Sequence, residues 1–122
     1  MESSCIVVFT TVAKLEDARH MARSLVERKL VACAQISQIE SFYQWDGRVL
    51  DYKEYRLLLK TTNDRYQAVE QAIMQLHPYE LPAIHAIAVA HISRPYADWI
   101  EHGSRGELCD GTGSSWEREG AS

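Results

Sequence analysis

The segment His77-Pro78-Tyr79-Glu80-Leu81-Pro82 has the residues best suited to metal chemistry. A neutral imidazole is a general ligand for copper and zinc. The rigid Pro78 and the acidic Glu80 are close enough in sequence to help hold that imidazole at a cleft. His77 and Glu80 are therefore candidate metal ligands. The alternative interpretation is structural, because a histidine here also suits the C-terminus of a preceding helix.

Cys33 is a third candidate metal ligand, as a soft thiolate. A reactive or metal-binding thiol needs a lowered pKa, and the sequence guarantees no cation beside this one. Its neighbours are apolar, so a buried structural thiol is the competing interpretation. His85 and His91 fall on one face of a predicted strand, where single histidines are mostly core or interface residues.

Aromatic and charged residues form a second set of candidates. Aromatic side chains at these positions pack a core or a subunit interface, or else they wall a cleft between subunits. Glu54 and Lys60 are charges in otherwise apolar strands, where they pair with each other or bind an anion. The residues assigned to an inter-subunit cleft are Tyr43, Trp45, Glu54, Lys60, Tyr79 and Trp99.

Other chemistries find little support in the 122 residues. The formal net charge is −4, and neither a basic face nor the aromatic RNA-binding pattern of an RRM is present, so no nucleic-acid partner is expected. The sequence has no Gly-rich phosphate motif and no Ser-His-Asp arrangement. The loop after the first predicted strand, Thr11-Val12-Ala13-Lys14, also lacks the Arg and Gly of an acylphosphatase. We expect a protein that is not an enzyme.

The cysteines and the first residues bear on location. Cys5, Cys33 and Cys109 are far apart and form no C-x-x-C pair, which argues against a disulfide scaffold and favours a reducing compartment. The apolar run at residues 5–9 is too short for a signal peptide or a membrane span. The sequence thus predicts a cytoplasmic protein with no membrane partner.

The elements that must position these residues follow from hydrophobic periodicity. The predicted order is βαββαβ followed by a C-terminal helix, an α+β fold of the ferredoxin-like type. Asp46-Gly47 is a strong hairpin signal between the second and third strands, and Asn63 or Asp64 is the expected N-cap of the second long helix. The predicted strands are residues 5–12, 30–45, 48–62 and 84–92. The predicted helices are 15–29, one that follows that N-cap and is stopped by Pro78, and 95–102.

The two hairpin strands are unusually long. Each has about 15 residues, whereas strands usually have 5–6. Strands of this length must project beyond a four-stranded sheet and leave open edges that pair with another chain. The pattern therefore predicts an oligomer. The domain is expected to span residues 1–102, and residues 103–122, which are rich in Gly, Ser and charge, are predicted to be a mobile C-terminal tail.

Five blocks of the sequence resemble the CutA (CutA1) divalent-cation-tolerance family. In chain order they are Glu27–Ile36 (ERKLVACAQI), Ser41–Gly47 (SFYQWDG), Glu54–Thr62 (EYRLLLKTT), His77–Pro82 (HPYELP) and Tyr96–Ile100 (YADWI). The likeness covers about residues 5–102. It implies a ferredoxin-like homotrimer with strands paired across subunits, without established catalysis, linked to tolerance of copper or another divalent cation. No cofactor is obligatory.

The resemblance also bears on the strength of metal binding. In bacterial members described with copper, a cysteine ends the first strand and a second histidine precedes the His-Pro-Tyr, whereas this sequence has Thr10 and Leu76 there. Weak copper binding that depends on His77 is therefore expected. The alternative function is that of a PII-like signalling protein, which would bind a small effector in clefts between subunits; that analogy rests on the fold alone.

Overall fold

A computed structural model describes residues 4–105 and confirms the predicted α+β class. Three helices and four strands alternate in the predicted order, with a short 3-10 turn before the second helix. The elements are β1 (Cys5–Val12), α1 (Leu15–Glu27), β2 (Cys33–Trp45), β3 (Arg48–Thr62), the 3-10 turn (Asn63–Arg65), α2 (Tyr66–Leu76), β4 (Ile84–Ala88) and α3 (Arg94–Gly103).

The four strands form one antiparallel sheet in the order β2-β3-β1-β4. This is the strand order of a ferredoxin-like fold, in which the strands of two βαβ units alternate across one sheet. The β1–β3 pairing runs from Cys5 opposite Thr62 to Val12 opposite Tyr55. Beyond Tyr55, β3 is paired with β2 alone within this chain. Residues 39–54 therefore project from the sheet as a two-stranded hairpin, here called the arm.

The core lies between one face of the sheet and helices α1 and α2. Strand side chains alternate between faces, so every second residue of β1 faces the helices and is buried. Both helices present an apolar stripe in return, because residues three and four apart share a helix face. The buried core consists of Ile6, Val8, Val12, Ala18, Met21, Leu25, Leu30, Val31, Leu57, Leu59, Val69, Ala72 and Ile73.

Helix α1 ends two residues earlier than predicted. Lys29 adopts a left-handed φ of 58°, and the backbone N–H groups of Leu30 and Val31 both donate to the Leu25 carbonyl, at 3.1 and 3.4 Å. These bonds give the Leu25 carbonyl its partners at the end of the helix, and the left-handed Lys29 reverses the direction of the chain. Strand β2 consequently begins at Cys33 rather than at residue 30.

Two other predicted boundaries also differ. Strand β4 ends at Ala88 rather than at residue 92, because its partner β1 ends there: the Val89 N–H donates to the Cys5 carbonyl at 3.1 Å, at the start of β1. Neither Asn63 nor Asp64 is a side-chain N-cap of α2. The Asp64 carboxylate instead accepts a hydrogen bond from the Thr62 hydroxyl at 2.5 Å, which lowers the pKa of Asp64.

Helix α3 packs on the other face of the sheet and covers only one end of it. Ile100 is buried there, with 2% of its surface exposed, and the Lys60 ammonium donates to the Tyr96 hydroxyl at 2.7 Å. In the middle of this face, the rings of Phe9 and His85 stack with centroids 5.2 Å apart. We call this surface of the sheet, opposite α1 and α2, the second face.

The predicted tail begins inside the last helix. Gly103 is the final residue of α3, and the fully buried Ser104 donates its hydroxyl proton to the Ile100 carbonyl at 2.7 Å. The Arg105 guanidinium lies 3.3 Å from the Asp64 carboxylate. These three residues therefore pack with the domain. Residues 106–122 lie outside the described residues, and the tail assigned to them stays a prediction.

The close approach of α3 to the start of β2 gives a test of this packing. A Cβ atom at Gly103 would lie 2.8 Å from the Ala32 Cβ, so Gly103→Ala is expected to lower the free energy of unfolding by about 1–2 kcal/mol. Alanine is otherwise the better helix former by about 1 kcal/mol, so a net loss means that the clash outweighs helix propensity. Urea denaturation at fixed protein concentration measures it, with Asp98→Ala, an exposed change on the same helix, as the control. A stabilised Gly103→Ala variant would contradict the contact.

Candidate functional site

His77 lies at the end of α2 and has both ring nitrogens bound within the chain. Pro78 prevents the helix from continuing, and the residue before it takes an extended conformation with a ψ of 134°. The imidazole Nε2 lies 2.7 Å from the Thr11 carbonyl, and the Tyr79 backbone N–H donates to Nδ1 at 3.1 Å. Since Tyr79 supplies a donor and Thr11 an acceptor, the ring is neutral with its proton on Nε2.

The surroundings of His77 favour that neutral form. Its exposed fraction is 8%, and burial lowers its pKa below the ordinary value, more than the Thr11 carbonyl and the Asp17 carboxylate raise it. The ring thus joins the end of β1 to the segment after α2. The imidazole thus lies at a helix end, as the structural interpretation of the sequence expected. Its one lone pair, which a metal would need, already accepts a hydrogen bond from the Tyr79 N–H.

The predicted metal ligands do not come together in the single chain. Glu80 is exposed in the segment after α2, whereas Cys33 opens β2 opposite Lys60 of β3. Within residues 4–105, no three His, Cys, Asp or Glu side chains are close enough to share a metal ion. The residues present therefore do not fit a preformed copper site, because copper binds tightly only where several nitrogen or sulfur ligands converge.

Three of the predicted cleft residues do come together, around a cavity of about 450 Å³. Tyr43 lies about midway along the arm and Glu54 lies at its base, and Tyr79 comes from the segment that His77 holds. Tyr52 completes the aromatic wall, with its ring centroid 5.7 Å from that of Tyr43. We call this cavity the tyrosine pocket. Thr11 and Lys53 also border it.

The electrostatic character of the tyrosine pocket is set by Glu54. Burial raises the pKa of Tyr79, and Glu54, Tyr43 and Asp17 raise it further. Removal from water, together with Tyr52 and Glu54, likewise raises the pKa of Tyr43. Both phenols are therefore neutral at physiological pH, and the carboxylate of Glu54 acts on both of them.

The other predicted cleft residues lie elsewhere. Trp45 is at the tip of the arm with 68% of its surface exposed. Lys60 and Trp99 are at the far end of the second face, where Trp99 stacks on Tyr96 with centroids 6.0 Å apart. Glu54 and Lys60 do not pair, because they are six positions apart along extended β3 and Lys60 contacts Tyr96.

The sequence interpretation missed Tyr52 and Thr11. A signal for Tyr52 was available: a two-residue Asp46-Gly47 turn places Trp45 opposite Arg48, and the same register puts Tyr43 diagonal to Tyr52 on one face. No local signal identifies Thr11, because it contributes its backbone carbonyl, which accepts the hydrogen bond from His77. Such contacts depend on how distant segments meet.

Comparison with known proteins agrees with this architecture. Residues 6–103 match the family model of the CutA1 divalent ion tolerance protein. The divalent-cation tolerance protein CutA of Thermococcus kodakarensis is 36% identical over 95 residues, which cover 78% of this chain and 91% of that protein. The protein of the same description from Thermus thermophilus is 40% identical over 95 residues, covering 77% and 92%.

Solved structures of similar proteins have the same fold as this chain. The divalent ion tolerance protein CutA1 from Ehrlichia chaffeensis superposes with a TM-score of 0.79 at 34% identity, over 84% of this chain and 96% of that one. The ferredoxin-like prediction is thus confirmed by element order, by strand order and by structural similarity. The chain belongs to the CutA1 divalent ion tolerance protein family.

Proposed function

We propose that this protein serves in tolerance of divalent metal ions, copper among them, as a non-enzymatic homotrimer in the cytoplasm. The observation that carries the proposal is the family match, which extends over residues 6–103 and so over nearly all of the folded region. It is supported by relatives described as divalent-cation tolerance proteins that this chain covers almost completely.

The arm supports self-association. In the single chain three of its large apolar side chains are about two-thirds exposed: 65% for Phe42, 68% for Trp45 and 68% for Val49. The arm also has open backbone edges, because only β2 and β3 pair there. Exposed edges with apolar side chains favour strand addition by another chain. The number of three subunits comes from the family resemblance.

The cytoplasmic assignment rests on the cysteines. Cys5, Cys33 and Cys109 are far apart in the sequence and form no C-x-x-C pair, which suits a reducing compartment. As a separate finding, residues 4–105 contain no helix long and apolar enough to cross a membrane.

Copper binding is expected to be weak and to depend on His77. A metal at Nδ1 must displace the Tyr79 N–H, and the other nitrogen already donates to Thr11. The metal would thus have to compete with a buried hydrogen bond for the only lone pair of the ring. Calorimetry at neutral pH should give a copper dissociation constant above about 1 μM, and His77→Ala should abolish the binding.

Cys33→Ser is the matched control and should bind copper as the parent does. Growth of a strain lacking this protein in copper-supplemented medium tests the tolerance role independently of affinity. Tight copper binding in the parent, or full binding by His77→Ala, would contradict the assignment of His77 and point to ligands shared between subunits. Unchanged copper resistance of the deletion strain would contradict the tolerance role.

A further inference from the structure

The tyrosine pocket presents three phenol rings from two separate parts of the chain. Tyr43 and Tyr52 stand on neighbouring strands with their planes inclined by 27°. Tyr79 reaches the pocket from the segment after α2, where its backbone N–H is fixed by His77 and its ring lies 4.8 Å from the imidazole. Rings held in this way present electron-rich faces in a fixed arrangement.

Negative charge in the pocket adds to the attraction that those ring faces have for a cation. The Glu54 carboxylate acts on both Tyr43 and Tyr79, and Asp17 adds a further negative charge near Tyr79. Lys53 also borders the pocket, but it stands between Tyr52 and Glu54 in β3, so its side chain is on the other face of the arm. A cation is attracted both by the faces of the rings and by the carboxylate, whereas an anion is repelled by both.

The kind of cation follows from the donor set. A metal ion requires several oxygen, nitrogen or sulfur ligands, and the pocket residues include one carboxylate. A weakly hydrated organic cation instead gains from aromatic walls, and quaternary ammonium groups are recognised by such aromatic cages. The volume of about 450 Å³ is within the usual range for small-molecule sites.

We propose that the tyrosine pocket binds a small organic ammonium ion, with its charge against Tyr43, Tyr52 and Tyr79 and paired with Glu54. The site is separate from the His77 nitrogens that the copper assignment uses. It gives a role to a carboxylate that lies among aromatic rings at the border of one cavity.

The test uses the full chain, in whatever assembly it forms, and choline as the probe. Calorimetry should detect choline binding, and the neutral carbon isostere of choline, in which carbon replaces the quaternary nitrogen, should bind at least about tenfold more weakly. The two probes share shape and apolar surface, so the difference measures the charge alone. Equal binding of the two probes, or no binding of choline, would overturn the proposal.

Variants of the pocket locate the binding. Tyr79→Leu and Glu54→Gln should each weaken choline about tenfold, whereas Tyr79→Phe, which keeps the ring, should bind like the parent. Lys53→Gln, a change on the other face of the same strand, is the matched control and should bind choline like the parent. Normal choline binding by Tyr79→Leu or Glu54→Gln would place the site elsewhere and overturn the proposal. Should Tyr79→Leu fail to fold, the isostere comparison and the conservative Glu54→Gln change still decide it.

Discussion

Shortening the arm is expected to turn the proposed homotrimer into a folded monomer. Gln38 and Tyr55 are directly opposed in the β2–β3 register, so residues 39–54 can be replaced by Asn-Gly, which closes a two-residue hairpin between them. The core residues all lie outside the deleted segment, and the subunit should therefore still fold. Light scattering should change from three times the 13.9 kDa chain mass for the parent to about one chain mass for the variant.

The matched control keeps the arm and changes only its tip. Asp46→Asn preserves the turn chemistry, because Asp46 has a left-handed φ of 52° that asparagine also tolerates. This variant should stay trimeric. A shortened protein that retains the parent's mass would show that the second face or the edge of β4, rather than the arm, holds the subunits together. A parent with the mass of one chain would contradict the homotrimer itself.

Replacing His77 by leucine is expected to lower the free energy of unfolding by about 2–4 kcal/mol. The change keeps an apolar body of similar size but leaves the Thr11 carbonyl and the Tyr79 N–H without their partner, and each such buried group costs about 1–3 kcal/mol. Denaturant unfolding at pH 7.5 measures the loss. His77→Gln, which still carries an acceptor and a donor, should recover part of it; equal losses in the two variants would contradict the hydrogen-bonding role.

Acid provides a second readout for the same residue. Burial lowers the pKa of folded His77 below its unfolded value of about 6.5. Between those two values the unfolded chain binds a proton that the folded chain does not, so the free energy of unfolding decreases as the pH is lowered. The contribution of His77 is complete above about pH 6.5 and is lost as the pH drops through the folded pKa. The His77→Leu variant should lack this component, and an unchanged pH profile in that variant would contradict it.

The parts of the fold that the sequence predicted are those governed by local rules. Strand β1, helix α2 and the arm follow from side-chain alternation, the helical period and the Asp46-Gly47 turn, and β1 and β3 have the predicted bounds. The ends of α1 and β4 were wrong because long-range contacts set them. Lys29 turns left-handed where Leu30 must enter the core, and β4 stops where β1 has no further residues to pair.

The candidate site divides in the same way. The sequence identified Tyr43, Glu54 and Tyr79 by residue type, and the structure brings these three together around one cavity. It could not separate them from Trp45, Lys60 and Trp99, because only the assembled sheet determines which end of the second face each residue occupies. Nor could it show that both His77 nitrogens are engaged, since one partner is a backbone carbonyl 66 positions away in sequence.

The arm also makes an unassembled subunit prone to aggregation. If the proposed trimer forms, a newly synthesised chain has to find two others by diffusion. Until then an open β edge flanked by Phe42 and Trp45 is a template for aggregation. Charges interrupt that stretch: Glu40 lies opposite Lys53, and Asp51 lies opposite Phe42. Such gatekeeper residues slow indiscriminate stacking without preventing specific pairing. When synthesis of the protein is slow, subunits are scarce and take longer to meet. The gatekeeper charges matter most then, because they slow aggregation during that wait.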